Sequence, residues 1–170
     1  MRVRRVGEHG LLVECADVVE VEGTYAALRA RADKLGATDL VPAARTVLLD
    51  GLADVERVAA LVRGLAPEPP SERAPGAQVI EVPVSYDGPD LAEVARQWRV
   101  EPADVVRIHS GTEFSVAFCG FAPGFAYCVG LPDDLVVSRR PEPRARVPAG
   151  SVAVAGGFTA VYPAASPGGW

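Results

Sequence analysis

Twelve residues near the middle of the chain, Ala66-Pro67-Glu68-Pro69-Pro70-Ser71-Glu72-Arg73-Ala74-Pro75-Gly76-Ala77, carry four prolines. Each proline fixes φ and removes a backbone donor. The stretch also has too few apolar side chains to join a core, so it is expected to be an extended, semi-rigid connector. It divides the 170 residues into a domain at 1–70, a linker at 71–77 and a second domain at 78–170.

The first segment reads as mixed strand and helix. Val3 to Val6 and Leu11 to Cys15 form a hairpin pattern around Gly7 to Gly10. Asp17 starts a helix, with Glu20 placed for a capping box. Val18, Val21, Tyr25, Leu28, Ala32 and Leu35 recur at helical spacing up to Gly36, a C-terminal cap. Asp39 to Val41 and Thr46 to Leu49 read as strands, and Val55, Val58, Leu61, Val62 and Leu65 as a second amphipathic helix. The order strand, helix, strand, strand, helix suits a ferredoxin-like α/β sandwich. Gln78 to Val84 either supplies its last strand or opens the next domain.

The second segment opens with a strand over Val79 to Val84. Asp90 caps a helix carrying Leu91, Val94, Ala95 and Trp98, and Pro102 opens a shorter helix through Ile108. From Gly111 onward the pattern is strands and Gly/Pro turns: Glu113 to Cys119, Leu135 to Ser138, Ser151 to Ala155 and Phe158 to Tyr162, the texture of an all-β barrel or sandwich. The whole chain is thus of the α+β class. Between the first two of these strands lies Gly120-Phe121-Ala122-Pro123-Gly124-Phe125-Ala126-Tyr127, rich in Gly, Pro and rings in a chain that is only 6% aromatic. It reads as a rigid loop lined by Phe121, Phe125 and Tyr127, serving either as a binding loop or as a crossover that fills the core.

Charge and cysteines narrow the classes. The formal net charge is −5, and no clustered basic face suits a nucleic acid. Cys15, Cys119 and Cys128 form no C-x-x-C pair, and buried free thiols are expected. There is no apolar run of about eighteen residues or more and no signal-peptide pattern, which points to a cytoplasmic protein without a membrane partner.

Few residues announce chemistry. His109 after the short helix suits an acid, base or hydrogen-bond donor, or else a helix-terminal packing role. His9 sits in a turn, so no second histidine supports a metal site or a Ser-His-Asp triad. Arg139, Arg140, Arg144 and Arg146 form the strongest polar cluster. Alternation puts Arg144 and Arg146 on one face, to grip a carboxylate or phosphate or to form a solvated rim with Asp133, Asp134 and Glu142. Gly150-Ser151 offers backbone N–H groups to an anion or is a plain turn. No G-x-x-x-x-G-K-S/T loop is present.

In order, Gly120-Phe121, Pro123-Gly124-Phe125, Tyr127, Gly130-Leu131-Pro132, Pro143-Arg144, Arg146-Val147-Pro148-Ala149-Gly150-Ser151-Val152, Tyr162-Pro163 and Pro167-Gly168-Gly169-Trp170 resemble the allophanate hydrolase subunit 1 family. Glu81-Val82-Pro83-Val84 and His109-Ser110 fit the same pattern. That family includes KipI-like proteins, 5-oxoprolinase subunits of the PxpB type and carboxyltransferase-domain relatives in urea carboxylase. The resemblance implies a cyclophilin-like β-barrel for the second domain. It also implies that relatives continue past Trp170 with strands that complete the barrel, so that this chain alone is not expected to be a well-behaved monomer.

The implied function is the small subunit of a heteromeric ATP-dependent amide hydrolase, of the 5-oxoprolinase type, inactive alone. Its partner is an allophanate hydrolase subunit 2-like large subunit, its substrate a small amide or cyclic amide, and its ATP belongs to the assembled complex. His109 and Arg144 are the implied catalytic residues. Phe121, Pro123, Gly124, Phe125, Tyr127, Arg139, Arg146, Gly150 and Ser151 are the implied substrate contacts. Ser138 stands where relatives carry the proline before Arg139, and Phe158 where they commonly carry Gln. The same motifs also admit a KipI-like inhibitor of a sensor histidine kinase.

Overall fold

The computed structural model describes residues 1–68 and 78–169. The chain is of mixed helix and sheet, in two compact units, Met1 to Gln78 and Val79 onward. The expected linker at 71–77 lies outside the described residues.

In the first unit, β1 (Arg2–Val6) and β2 (Gly10–Glu14) form the expected hairpin. Helix α1 (Val18–Arg29) follows, with the expected capping box shifted by one residue on its return bond: Asp17 accepts from the Glu20 N–H at 2.8 Å, and the Glu20 carboxylate accepts from the N–H of Ala16, just before the cap. The helix does not run unbroken to Gly36. It stops at Arg29, and a separate turn, α2 (Ala32–Leu35), ends on Gly36 at φ +65°. Ala32 is consequently exposed, while Thr24 and Ala27 join Val21 and Leu28 in the core. Strands β3 (Asp39–Pro42) and β4 (Thr46–Asp50) and helix α3 (Val55–Arg63) complete the unit.

The sheet is antiparallel throughout, in the order β1-β2-β4-β3. Register sets the core, because Leu11 faces Leu49 and Val13 faces Val47. Alternation then turns these four to one face, where Val21, Leu28, Val58 and Val62 from the helices cover them. Leu61, expected on the buried face of α3, is half exposed, and Ala59 takes that place.

The second unit corrects several expectations. Val79 to Val84 forms no strand and pairs with no described strand, and Val79, Ile80 and Val82 stay exposed, Ile80 at 79%. An alternating apolar run becomes a strand only where an edge is available to it. Helices α4 (Leu91–Trp98) and α5 (Pro102–Gly111) form where expected. The latter runs beyond Ile108, so His109 lies in its last turn. Asp90 precedes α4 but makes no side-chain cap; its carboxylate is engaged elsewhere.

Two small antiparallel sheets follow. One has the order β5 (Ser115–Cys119), β6 (Ala126–Val129), β9 (Phe158–Val161) and β8 (Val152–Ala155); the other pairs β7 (Arg144–Val147) with β10 (Ser166–Gly168). The Gly/Pro-rich stretch is therefore not all loop. Its last two residues, Ala126 and Tyr127, begin β6, an inner strand, because the breakers end at Gly124 and Tyr127, Cys128 and Val129 favour strand. Leu135 to Ser138 reduces to one bridge, Val137 to Gly156. One core cluster sits around Phe125, Val147, Ala160 and Tyr162, another around Ala95, Trp98, Val105 and Val137. Of the thiols, only Cys15 is buried; Cys128 is half-buried and Cys119, at the end of its strand, is exposed.

Candidate functional site

Strand β7, the turn before α4, the last turn of α5 and strand β8 meet around a cleft of about 750 Å³, lined by Tyr86, Asp90, His109, Arg140, Arg144, Arg146, Gly150 and Ser151 among others. All of it belongs to the second unit. Period-two alternation along β7 sends Arg144 and Arg146 to this same wall.

Arg144 grips Asp90 with both prongs of its guanidinium. Nη2 donates to Oδ1 at 2.8 Å, and Nη1 donates to Oδ2. Arg140 adds a longer contact of 3.4 Å to the same carboxylate. The Arg144 fork holds the Asp90 carboxyl below the usual carboxylate range, with Arg140 adding to the effect, and Asp90 in turn raises Arg144. The partner of Arg140 and Arg144 is thus Asp90, which lies 54 residues before Arg144, in place of the expected Asp133, Asp134 or Glu142. Arg146 is exposed and has no carboxylate partner among the described residues. The wall therefore carries one arginine already paired and one open to an anion.

His109 is buried, at 8% exposure. Its Nδ1 lies 2.8 Å from the Tyr86 hydroxyl and its Nε2 2.9 Å from Thr159 Oγ1. Phe114 packs on the ring at 4.9 Å. Burial lowers the imidazole pKa, and no carboxylate counters it, so the ring is neutral near pH 7.

Gly150 and Ser151 lie in the cleft, but their N–H groups are engaged internally, with the Tyr162 and Pro148 carbonyls at 2.8 and 3.3 Å. The anion cradle expected of that turn is not formed. The remaining expected residues lie away from this cleft. Phe125 is buried, with Tyr127 partly buried against the same cluster, and Phe118 stacks on Tyr127 at 4.4 Å. Phe158 closes edge-on over Phe118 and Tyr127. Phe121 is different. It is 63% exposed and held at φ +67°, next to Gly124 at φ +78°. A non-glycine residue in that region is uncommon and worth a functional reading. Pro123 completes the loop, and Arg139 is exposed beside the cluster without lining the cleft.

The expected list missed Tyr86, Thr159 and Asp90 as site residues. Nothing local marks them, since each meets its partner only through the fold. Among the described residues no group of three or more His, Cys, Asp or Glu is placed to hold a metal ion, and no helix is long and apolar enough to cross a membrane.

Residues 1–170 match the family model described as carboxyltransferase domain, subdomain C and D. The chain is 50% identical over 99 residues to the 5-oxoprolinase B subunit of Escherichia coli O157:H7, a match covering 56% of this chain and 45% of that protein. The match thus spans less than half the length of that relative. The solved structure of TTHA0988 superposes with a TM-score of 0.71 at 34% identity, over 99% of this chain and 34% of that one. The Kluyveromyces lactis urea amidolyase shares the fold, with a TM-score of 0.68 at 15% identity over 99% of this chain and 12% of its own.

Proposed function

The chain belongs to the family of carboxyltransferase domains, subdomains C and D, and on that premise we propose that it is part of the small subunit of a heteromeric 5-oxoprolinase. The observation that carries this reading is the 50% identity to the B subunit of a 5-oxoprolinase. The cleft supports it. Arg144, Arg146 and a neutral histidine line one cleft, and the hydroxyl on His109 Nε2, that of Thr159, is buried, donates to the Ala153 carbonyl and does not reach the cleft as a nucleophile. Such a site suits binding and orientation of a small cyclic amide with a carboxylate, and it needs a partner to complete the chemistry. The ring C–N bond is hydrolysed in the assembled complex. There, Arg144 and Arg146 hold the carboxylate, and His109 orients the ring end of the substrate.

The large partner is of the allophanate hydrolase subunit 2 type, and the complex is cytoplasmic. The exposed, strained Phe121 on the Pro123-Gly124 turn suits a partner surface better than a cleft wall. Nucleotide chemistry is assigned to the rest of the complex. The residues here do not fit a phosphate cradle, because the Gly150 and Ser151 N–H groups are engaged with the Tyr162 and Pro148 carbonyls. In the same reading the first unit is a ferredoxin-like sandwich, in which β1 takes the edge position that a strand after α3 would occupy. The order β1-β2-β4-β3 supports this. The second unit is read as the cyclophilin-like barrel.

Co-expression with a large-subunit homologue tests the partnership. A stable complex that cleaves 5-oxoproline with ATP, with neither component active alone, is the expected result. Full activity of either component on its own contradicts it.

A further inference from the structure

Three hydrogen bonds in series run from the cleft into the second unit: Tyr86 Oη to His109 Nδ1 at 2.8 Å, His109 Nε2 to Thr159 Oγ1 at 2.9 Å, and Thr159 Oγ1 to the Ala153 carbonyl at 3.1 Å. The last member fixes the direction of the whole series. A carbonyl has no proton to give, so the Thr159 hydroxyl donates to Ala153, and its oxygen accepts from His109 Nε2–H. A neutral imidazole protonated at Nε2 has only a lone pair at Nδ1. The Tyr86 hydroxyl therefore donates inward, to His109.

Tyr86 lines the cleft with its proton already committed. Toward a ligand its oxygen is an acceptor only. Arg140, Arg144 and Arg146 line the same cleft with Asp87, Asp90 and Glu93; Asp90 is held by Arg144 and Arg140 and Glu93 by Arg96, while Arg146 has no carboxylate partner among the described residues. A neutral N–H, on a molecule that also carries a carboxylate, satisfies both ends.

We propose that the Tyr86 oxygen accepts the ring N–H of a cyclic amide whose carboxylate lies on the Arg144–Arg146 wall, with His109 and Thr159 as positioning residues that hold Tyr86 in acceptor polarity. This inference rests on the reading of the cleft as the 5-oxoproline site. Tyr86 is then the residue that distinguishes a lactam from the lactone of the same shape.

Two measurements test it. The chain has only two histidines, so long-range ¹H–¹⁵N NMR of the full chain, assigned with His9→Gln, reads the His109 tautomer without any ligand. A neutral ring protonated at Nε2 at pH 7.5 is expected. A proton on Nδ1 overturns the proposal, because Tyr86 would then point its own proton at the ligand. In the assembled complex, binding of 5-oxoproline is compared with that of 5-oxotetrahydrofuran-2-carboxylate, which has a ring oxygen in place of the N–H. Wild type should prefer the lactam by about tenfold or more, since an acceptor that the bound ligand cuts off from water rejects a ligand that cannot donate. Tyr86→Phe, with its fold checked by NMR dispersion, should bring the ratio near one. An unchanged ratio in Tyr86→Phe, or no preference in wild type, overturns the inference. Turnover is a separate readout: a complex that binds the lactam selectively but never cleaves it contradicts the proposed function and leaves this inference standing.

Discussion

Asp90 holds two positions that the sequence keeps apart. It precedes α4 where a cap is expected, yet its carboxylate lies in the Arg144 fork. Removing Arg144 therefore does two things, and Arg146 separates them. Arg146→Ala should leave stability within about 0.5 kcal/mol of wild type, as an exposed side chain without an ion-pair partner, while raising KM for an anionic substrate in the complex. Arg144→Ala should show the same KM defect together with a stability loss of about 1 kcal/mol or less, the usual scale for a half-exposed pair. Urea unfolding beside steady-state kinetics checks both. Equal kinetics in both variants and wild type would place the arginines outside the site.

His109 gives a pH prediction whose sign is fixed. Burial lowers its pKa in the folded chain, so in acid the unfolded state takes up the proton first. The stability it contributes is complete above the unfolded value of about 6.5. It declines as pH falls below that value toward the lower folded one. The melting temperature should drop between pH 7.5 and 5.5, and His109→Gln should flatten that part of the profile. A wild-type profile that rises on acidification would contradict the buried neutral ring.

At the scale of elements, helix interiors and loop turns give opposite predictions for glycine. Gly23 lies within α1, where alanine ordinarily gains about 1 kcal/mol. Here an added Cβ would press into the Glu68 carbonyl oxygen, and overpacking costs about 1–3 kcal/mol. Gly23→Ala should thus lower the urea midpoint; a raised midpoint would mean the two backbones separate freely. Phe121 is the reverse case. At φ +67°, Phe121→Gly should be more stable than Phe121→Ala by about 1 kcal/mol, and both should weaken assembly if the ring is a partner contact.

The elements also show what a sequence makes legible. Strands β1 to β4 and the starts of helices α1, α3, α4 and α5 follow local periodicity, but helix ends were less legible: α1 stops at Arg29 although its apolar spacing continues to Leu35, and α5 runs past Ile108 to Gly111. β6 was hidden by the Gly and Pro residues before it. Val79 to Val84 has the strand pattern, but pattern carries no information about whether an edge is there to pair with. The site divides in the same way. Arg144 and Arg146 share a wall by simple alternation, which the sequence displays. The residues that set their chemistry lie far off along the chain: Asp90 at a separation of 54, and Tyr86 and Thr159 at 23 and 50 from His109. Those pairings are products of topology, and no spacing rule contains them.

For the molecule as a whole, a family match over residues 1–170 and a cleft whose described lining offers binding groups, with the Thr159 hydroxyl on His109 buried and committed to Ala153, support the proposal that this chain binds and orients a substrate whose cleavage needs a partner. The most direct measurement is 5-oxoproline-dependent ATP hydrolysis by the reconstituted complex, with wild-type and Arg146→Ala versions of this chain. The account predicts turnover that requires both components, with KM for 5-oxoproline raised about tenfold or more in Arg146→Ala and the complex still assembled. Turnover by the large partner without this chain, or an unchanged KM in the variant, would contradict it.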